Sequence, residues 1–159
     1  MIPIPRDFRE FLGLLNKHRV KYLVIGGYAV GYHGYPRYTG DIDIFIAISP
    51  TNGEAMVKVF REFGVGGGAL TPDFFCDYGQ VIRLGREPMK LEIVNKVDGV
   101  TFAGCYSRRI RARLERLTVN FIAYEDLLKN KRASGRHKDL QDLEVLQAKP
   151  KRVRSRIRR

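Results

Sequence analysis

The stretch from Val24 to Ile48 constrains the fold of this chain more than any other. It contains an apolar run that ends at a glycine pair, then a tyrosine- and glycine-rich interval, and then an alternating run, VIGGYAVGYHGYPRYTGDIDIFIAI. As a strand, the alternating run places Asp41, Asp43 and Phe45 on one face and isoleucines on the other. Two like charges side by side beside an apolar core give no packing benefit, whereas a divalent metal ion would stabilise them. The alternative is that Asp41 caps a turn and Asp43 pairs with an arginine.

Gly26 and Gly27 lie between the apolar run and a short predicted helix. Glycine lets the backbone approach a phosphate closely, and the first N–H groups of a helix are free to bind an anion. A glycine pair also occurs at such turns for geometric reasons alone. Its interpretation as a phosphate site therefore depends on the two aspartates downstream.

The order apolar-Gly-Gly, short helix, Asp-apolar-Asp-apolar resembles the polymerase-β-like nucleotidyltransferase superfamily. The lead-in from Arg37 through Tyr38-Thr39-Gly40 to Asp41 resembles a small stand-alone branch that includes the AbiEii-type toxins. The resemblance implies an α/β (α+β) fold, with a small mixed β-sheet and helices packed mainly on one face. It also implies a glycine turn that receives the triphosphate of a nucleotide, and a strand whose aspartates hold two magnesium ions, for which Mn²⁺ could substitute.

Glu92 is the predicted third carboxylate of that site. It lies in the run Lys90-Leu91-Glu92-Ile93-Val94, on which it faces away from its apolar neighbours. Under the resemblance, Asp41, Asp43 and Glu92 are catalytic residues and metal ligands, and Glu92 helps to take the proton from the acceptor hydroxyl. Many relatives have aspartate here, and the alternative is an ordinary surface glutamate on an edge strand.

Residues 127–143 resemble the closing motif of the AbiEii-type branch, which ends in a Lys-x-x-x-Asp helix. The resemblance implies that Lys131, Arg136 and Lys138 supply positive charge to the phosphates and that Asp142 orients one of them. Lys138 and Asp142 lie one helical turn apart, so a plain surface pair is the alternative. Arg37 and Thr39, which lie just before the strand with the two aspartates, are candidates to contact phosphate or base. The predicted nucleotide-binding residues are therefore Gly26, Gly27, Arg37, Thr39, Lys131, Arg136, Lys138 and Asp142.

The net charge of +12 favours a polyanionic partner, most simply nucleic acid. Residues 149–159 are rich in arginine and lysine and contain no acidic residue, and we predict a disordered basic tail after a single domain at 1–148. Arginines on one side of a predicted hairpin, and basic residues of the tail, are the candidate nucleic-acid contacts: Arg109, Arg111, Arg113, Lys151 and Arg152. The alternatives are protection of a sheet edge for the hairpin and a purely solvating role for the tail.

The rest of the pattern predicts one packed domain. No apolar run approaches the roughly 20 residues of a membrane helix, the first residues are too polar for a signal peptide, and Cys76 and Cys105 are expected to be free thiols in a reducing cytoplasm. Residues 64–78 show no clear period, and Gly66-Gly67-Gly68 predicts a flexible loop there. The predicted helices are 5–18, 28–33, 51–64, 124–133 and 134–147, the last with Leu140, Leu143 and Leu146 inward, and the predicted strands are 20–25, 41–48, 80–84, 89–95 and a hairpin at 108–121.

These features predict a magnesium-dependent enzyme that moves a nucleoside monophosphate from an NTP to an acceptor hydroxyl. The positive charge favours RNA as the acceptor, and the AbiEii resemblance implies a tRNA 3′ end and a toxin with a cognate antitoxin. One alternative is an AMP-transferring, antitoxin-like enzyme that modifies a partner protein. The other is an inactive RNA-binding protein on the same fold. An aminoglycoside acceptor is disfavoured, because cationic drugs usually bind acidic clefts.

Overall fold

The computed structural model describes residues 4–37, 39–86 and 89–148, so Lys151, Arg152 and the rest of the predicted tail lie outside the described residues. The elements, in chain order, are α1 (Arg6–Lys17), β1 (Tyr22–Ile25), α2 (Gly26–Tyr32), β2 (Asp41–Ile46), α3 (Pro50–Phe63), α4 (Pro72–Cys76), β3 (Val81–Arg86), β4 (Met89–Val94), α5 (Phe102–Ser107), β5 (Ile110–Leu114), β6 (Leu117–Phe121), α6 (Tyr124–Ser134) and α7 (His137–Gln147).

The strands form one mixed sheet in the order β3-β4-β2-β1-β6-β5. Two neighbouring pairs, β2 with β4 and β1 with β6, run parallel. The other neighbours run antiparallel, two of them as the hairpins β3-β4 and β5-β6. Since the described residues combine this mixed sheet with seven helices, the predicted α/β class is confirmed.

The two strands of the opening motif lie side by side in the middle of the sheet. All four residues of β1 are buried, as expected of a continuous apolar run at a central position. On β2 the predicted alternation is confirmed, because Ile42 and Ile44 are buried in the core while Asp41 and Asp43 are partly exposed on the opposite face. We call these two sides of the sheet the isoleucine face and the carboxylate face.

Two short helices were not predicted from the sequence. The predicted loop at 64–78 contains α4, whose first turn is capped by the Thr71 hydroxyl, and Thr101 caps α5 in the same way. Each helix is too short for its apolar residues to establish a helical period. The start of α3 also differs from the prediction, because Ser49 caps the helix by accepting from the Asn52 N–H.

The buried side of α7 differs from the prediction as well. Leu146 is buried and Leu143 is partly buried, but Leu140 is 47% exposed. Asp139 and Asp142 are buried instead, because this side of the helix faces a lysine and an arginine. The three-residue leucine spacing therefore predicted only part of the buried side of α7 correctly.

The two cysteines are free, as predicted, and Cys105 is buried. Burial raises the pKa of the Cys105 thiol to about 11, which keeps it protonated at neutral pH. Among the described residues, no helix combines the length and apolar character needed to span a membrane.

Candidate active site

The three predicted carboxylates converge on one side of the sheet. Strands β2 and β4 run parallel, and their register places Asp43 directly beside Glu92. Asp41 lies on the same face one pleat earlier. All three residues line a cleft of about 460 Å³ that is closed on the other side by the ends of α6 and α7. The structure thus brings together residues that are far apart in the sequence.

Gly26 lies against the Asp43 carboxylate. Its φ of +65° is a left-handed backbone conformation that side chains rarely adopt, and a β-carbon added here would overlap the Asp43 Oδ2 atom. Glycine is therefore required at position 26 for two reasons: Asp43 leaves no space for a side chain, and the backbone angle φ is positive. It leaves the start of α2 open toward the carboxylates.

Gly27 is packed against Thr39. A β-carbon at Gly27 would lie 2.8 Å from the Thr39 hydroxyl oxygen. That hydroxyl donates to the backbone carbonyl of Asp41 at 3.1 Å. The Thr39 side chain thus holds the segment before β2 against the glycine turn, and it places a hydroxyl beside the start of α2.

The electrostatic environment of Asp43 disfavours its negative charge. Burial is the main cause, and the nearby carboxylates of Glu92 and Asp41 add to it, so that the pKa of Asp43 is raised to about 6. Lys131 and Lys138 lower this pKa in part. A carboxylate in this position would be stabilised by a bound cation.

The donor set fits a hard cation such as Mg²⁺, since Asp41, Asp43 and Glu92 offer only oxygen atoms. Glu92 is engaged elsewhere, however, because its Oε2 accepts from the Nε of Arg83 at 2.8 Å. In the described part of the chain, no group of three or more histidine, cysteine or acidic side chains is arranged as a metal site. Asp41 and Asp43 fit this role, and the ion pair with Arg83 would compete with a metal ion for Glu92.

A buried charged network closes the cleft. The Lys131 amine lies 3.1 Å from an oxygen of Asp139 and 3.1 Å from an oxygen of Asp142. Arg37 makes a two-pronged contact with Asp142 at 2.9 and 3.1 Å, and Arg136 contacts Asp139 at 2.7 Å. The network ties the segment before β2 to α6 and α7. Sequence reasoning missed Asp139, although its spacing from Asp142 places both carboxylates on one side of a helix.

Lys138 is exposed and lines the cleft. The alternative of a surface pair between Lys138 and Asp142 is not what the structure shows, because Asp142 is buried and binds Arg37 and Lys131. The exposed Arg136 side chain lines the cleft as well. The phosphate-binding roles of Lys131, Arg136 and Lys138 remain predictions.

The three hairpin arginines lie in different surroundings, and their predicted contact with nucleic acid stays a prediction. Arg109 precedes β5, its guanidinium lies 4.0 Å from the centre of the Tyr106 ring, and it donates to the Tyr106 carbonyl. Arg111 and Arg113 are exposed on β5. The tyrosines of the glycine-rich interval mainly pack, since Tyr28 and Tyr32 are buried.

No protein-family model and no curated protein matches the sequence. Solved structures do match the fold. A Thermotoga maritima protein classed as a nucleotidyltransferase has a TM-score of 0.55 at 15% identity, over 89% of each chain. The chain has the nucleotidyltransferase fold.

Two further structures share the nucleotidyltransferase fold. The lincosamide antibiotic adenylyltransferase LnuA, solved with lincomycin bound, has a TM-score of 0.55 at 15% identity, over 92% of this chain and 98% of that chain. ANT(2″)-Ia, solved with adenylyl-2″-tobramycin, has a TM-score of 0.55 at 14% identity, over 95% of this chain and 92% of that one. At these identities the likeness shows the fold alone.

Proposed function

We propose that this chain is a divalent-metal-dependent nucleotidyltransferase, which moves a nucleoside monophosphate from an NTP to an acceptor hydroxyl. The observation that carries the proposal is the convergence of Asp41, Asp43 and Glu92 on one cleft beside Gly26. The raised pKa of Asp43 adds support, because clustered carboxylates of this kind gain from a bound cation.

In this proposal the phosphates and the metal bind at separate places in the cleft. The triphosphate would bind beside Gly26 and Gly27, with the exposed cations of Arg136 and Lys138 facing it. Asp41 and Asp43 would hold Mg²⁺, which would neutralise phosphate charge and make the acceptor hydroxyl easier to deprotonate. The buried network behind the cations keeps α7 in place against the cleft.

The reaction is a displacement at the α-phosphorus. The acceptor oxygen forms a new bond to this phosphorus, the bond between the α-phosphorus and the bridging oxygen breaks, and pyrophosphate leaves with the electron pair. The acceptor proton passes to a carboxylate of the cleft, for which Glu92 is the candidate once it has left Arg83. The fixed positions of Asp41 and Asp43 on a central strand would keep the reacting groups oriented.

RNA is the proposed acceptor, specifically a tRNA 3′ end, with a cognate antitoxin as a partner. The net charge of +12 and the exposed Arg111 and Arg113 support a polyanionic acceptor. The branch with AbiEii-type toxins, which the sequence motifs resemble, supplies the tRNA and toxin part of this proposal.

The experiment is an incubation of purified protein with Mg²⁺ and each α-labelled NTP. The acceptors are tRNA, a bacterial protein lysate, lincomycin and tobramycin, in separate tubes. Asp41→Asn/Asp43→Asn is the inactive control, and Asp73→Asn, on the short helix α4, is a matched carboxylate control. We expect label in tRNA with the wild type and with Asp73→Asn only.

The other outcomes identify other acceptors. Label in a protein band would replace the RNA acceptor by a protein partner, and label in a drug would make the enzyme a small-molecule adenylyltransferase. No label in any tube, while tRNA is still bound, would refute transfer and leave an RNA-binding protein on this fold.

A further inference from the structure

A second pocket lies on the carboxylate face, beyond Asp43. Its volume is about 550 Å³, and Phe45, the next residue on this face of β2, lines it. Phe102 of α5 lies edge-on over Phe45 with ring centres 5.1 Å apart, and it stacks on Tyr106 at 5.2 Å. The exposed ring of Tyr78 lines another part of the pocket. The proposed reaction assigns no role to any of these residues.

Each of the two tyrosines has a cation beside its ring. The Lys96 amine lies 5.5 Å from the centre of Tyr78, and the Lys21 amine lies 6.0 Å from the centre of Tyr106. The guanidinium of Arg109 also lies over Tyr106. Aromatic faces next to lysines and arginines suit a ligand that joins a flat ring to negative charge, which is the chemistry of a nucleotide in a single strand.

The pocket and the catalytic cleft are neighbours. Lys96 and Val97 line both of them, so that this segment is the boundary between the two. Phe45 is two residues from Asp43 on the same strand, a separation of about 7 Å. A group in the pocket is therefore within a nucleotide's length of the carboxylates.

The direction of the reaction decides which substrate the pocket suits. In an in-line displacement, the attacking oxygen approaches opposite the leaving pyrophosphate. The glycine turn of the proposed triphosphate site lies toward the Asp41 end of β2, because Ile25 pairs with Asp43 on an antiparallel strand and Gly26 follows it, whereas Phe45 lies toward the other end of β2. With the triphosphate in that position, the pocket is on the side from which the acceptor would approach.

Strand register adds a basic surface on the same face of the sheet. Ile110 pairs with Phe121, and Phe121 pairs with Val24, which lies beside Ile44 on the isoleucine face. The alternating residues Arg111 and Arg113 therefore project from the carboxylate face, at the edge of the sheet. This edge is three strand spacings from β2, or about 14 Å.

We propose that this aromatic pocket binds the 3′-terminal nucleoside of a single-stranded RNA acceptor, and that the preceding phosphates follow Arg111 and Arg113. The inference rests on the proposed function, because it assigns the acceptor of that reaction. Two lysines and no carboxylate are found among the lining residues, which favours a polyanion over a cationic drug.

The test is photo-crosslinking of the full chain to an RNA hairpin with a single-stranded 3′ end. The terminal nucleotide is 4-thiouridine, NTP and metal are absent, and the crosslinked peptide is identified by mass spectrometry. We expect the crosslink at Tyr78, Phe102 or Tyr106. A crosslink confined to other segments would overturn the pocket, and so would loss of the crosslink when ATP alone is added, because the pocket would then bind the NTP base.

Affinity measurements on variants give a second readout. Tyr78→Ala should weaken binding of the hairpin RNA about tenfold and Tyr78→Phe should restore it, because stacking needs the ring and not the hydroxyl. Val65→Ala removes an exposed apolar side chain elsewhere and should bind normally. Tyr106→Leu tests the other wall, and because Tyr78 is 68% exposed, Tyr78→Ala is expected to fold even if Tyr106→Leu does not.

The transfer assay separates failure of the pocket from failure of the enzyme. If the wild type labels tRNA and Tyr78→Ala keeps the wild-type KM for tRNA, the pocket proposal fails and the function stands. If no label is transferred but the terminal nucleotide still crosslinks to Tyr78 or Tyr106, the function fails and the RNA-binding pocket stands.

Discussion

At the scale of single residues, Asp43 is the carboxylate whose surroundings disfavour its negative charge and would favour a bound cation. It is held beside two other carboxylates, and Gly26 leaves just enough room for it. The sequence identified it because alternation along one strand is a local property. Its raised pKa comes mainly from burial and then from Glu92, which is distant in the sequence, so this property follows only from the fold.

Replacement of Asp43 should stabilise the metal-free protein and abolish metal binding. The raised pKa means that the folded state binds the Asp43 proton more tightly than the unfolded state does. The contribution of Asp43 to the free energy of unfolding of the metal-free wild type should therefore be largest below about pH 4. It should fall by about 2 kcal/mol as the pH rises to about 6. Urea denaturation at several pH values with EDTA should show this component, and Asp43→Asn should lack it.

Mn²⁺ binding should change with pH in the direction opposite to the stability of the metal-free protein. Binding to the wild type should strengthen as the pH rises through about 6, because the metal competes with the proton on Asp43. Asp43→Asn should not bind Mn²⁺ at any of these pH values, and Asp73→Asn should behave as the wild type. An unchanged Mn²⁺ affinity in Asp43→Asn would remove Asp43 from the metal site.

Lys131 should be important for stability even without substrate. Its amine is buried between Asp139 and Asp142, so Lys131→Met would leave two buried carboxylates with fewer partners. Each keeps one arginine contact, and we expect a loss of about 3 kcal/mol in the free energy of unfolding. Lys129→Met, at an exposed position of the same helix, is the control. Equal urea midpoints for the two variants would show that the network is not a stabilising element.

At the scale of elements, the hairpin β3-β4 contributes the third carboxylate together with a partner for it. Register places Arg83 beside Glu92, and the two side chains form an ion pair on the carboxylate face. The sequence predicted both strands, but not that Arg83 would contact Glu92. That contact depends on the register between β3 and β4. The composition of the turn that joins the two strands is not enough to predict this register.

Arg83→Gln should increase metal affinity with little change in stability. The Arg83 side chain is 63% exposed, and pairs of this kind contribute at most about 1 kcal/mol. Freed from the guanidinium, Glu92 becomes available beside Asp43. Mn²⁺ titration should show tighter binding than in Arg86→Gln, which removes an exposed arginine from the same strand. Equal affinities in the two variants would argue against Glu92 as a metal ligand.

At the scale of the whole molecule, the sheet places different chemistry on its two faces. The isoleucine face packs against the core, while the carboxylate face carries the cleft with the three carboxylates, the aromatic pocket and the exposed arginines of β5. RNA binding should therefore depend on salt through that face. In a plot of log K against log salt, Arg111→Gln/Arg113→Gln should reduce the slope by about 1 to 1.5, because each lost phosphate contact accounts for about 0.7.

The control for this measurement is a second pair of exposed basic residues. Lys58→Gln/Arg61→Gln on α3 removes the same charge from another part of the molecule. A slope that changes equally in both double variants would mean that net charge alone drives RNA binding. In that case the β5 arginines would have no special place in the interface.

The sequence by itself determined the features of this protein that depend only on residues close together in the chain. The glycine pair, the Asp-x-Asp alternation and the apolar run of β1 each lie within a few residues, where backbone geometry alone fixes which side chains share a face. The tertiary structure decided which distant groups meet. The register of β2 with β4 brought Glu92 to Asp43, the packing of α6 on α7 buried Lys131 with two aspartates, and α5, too short to be recognised, completed an aromatic pocket. These contacts follow from the path of the chain between elements, and that path is set by the packing of the whole core.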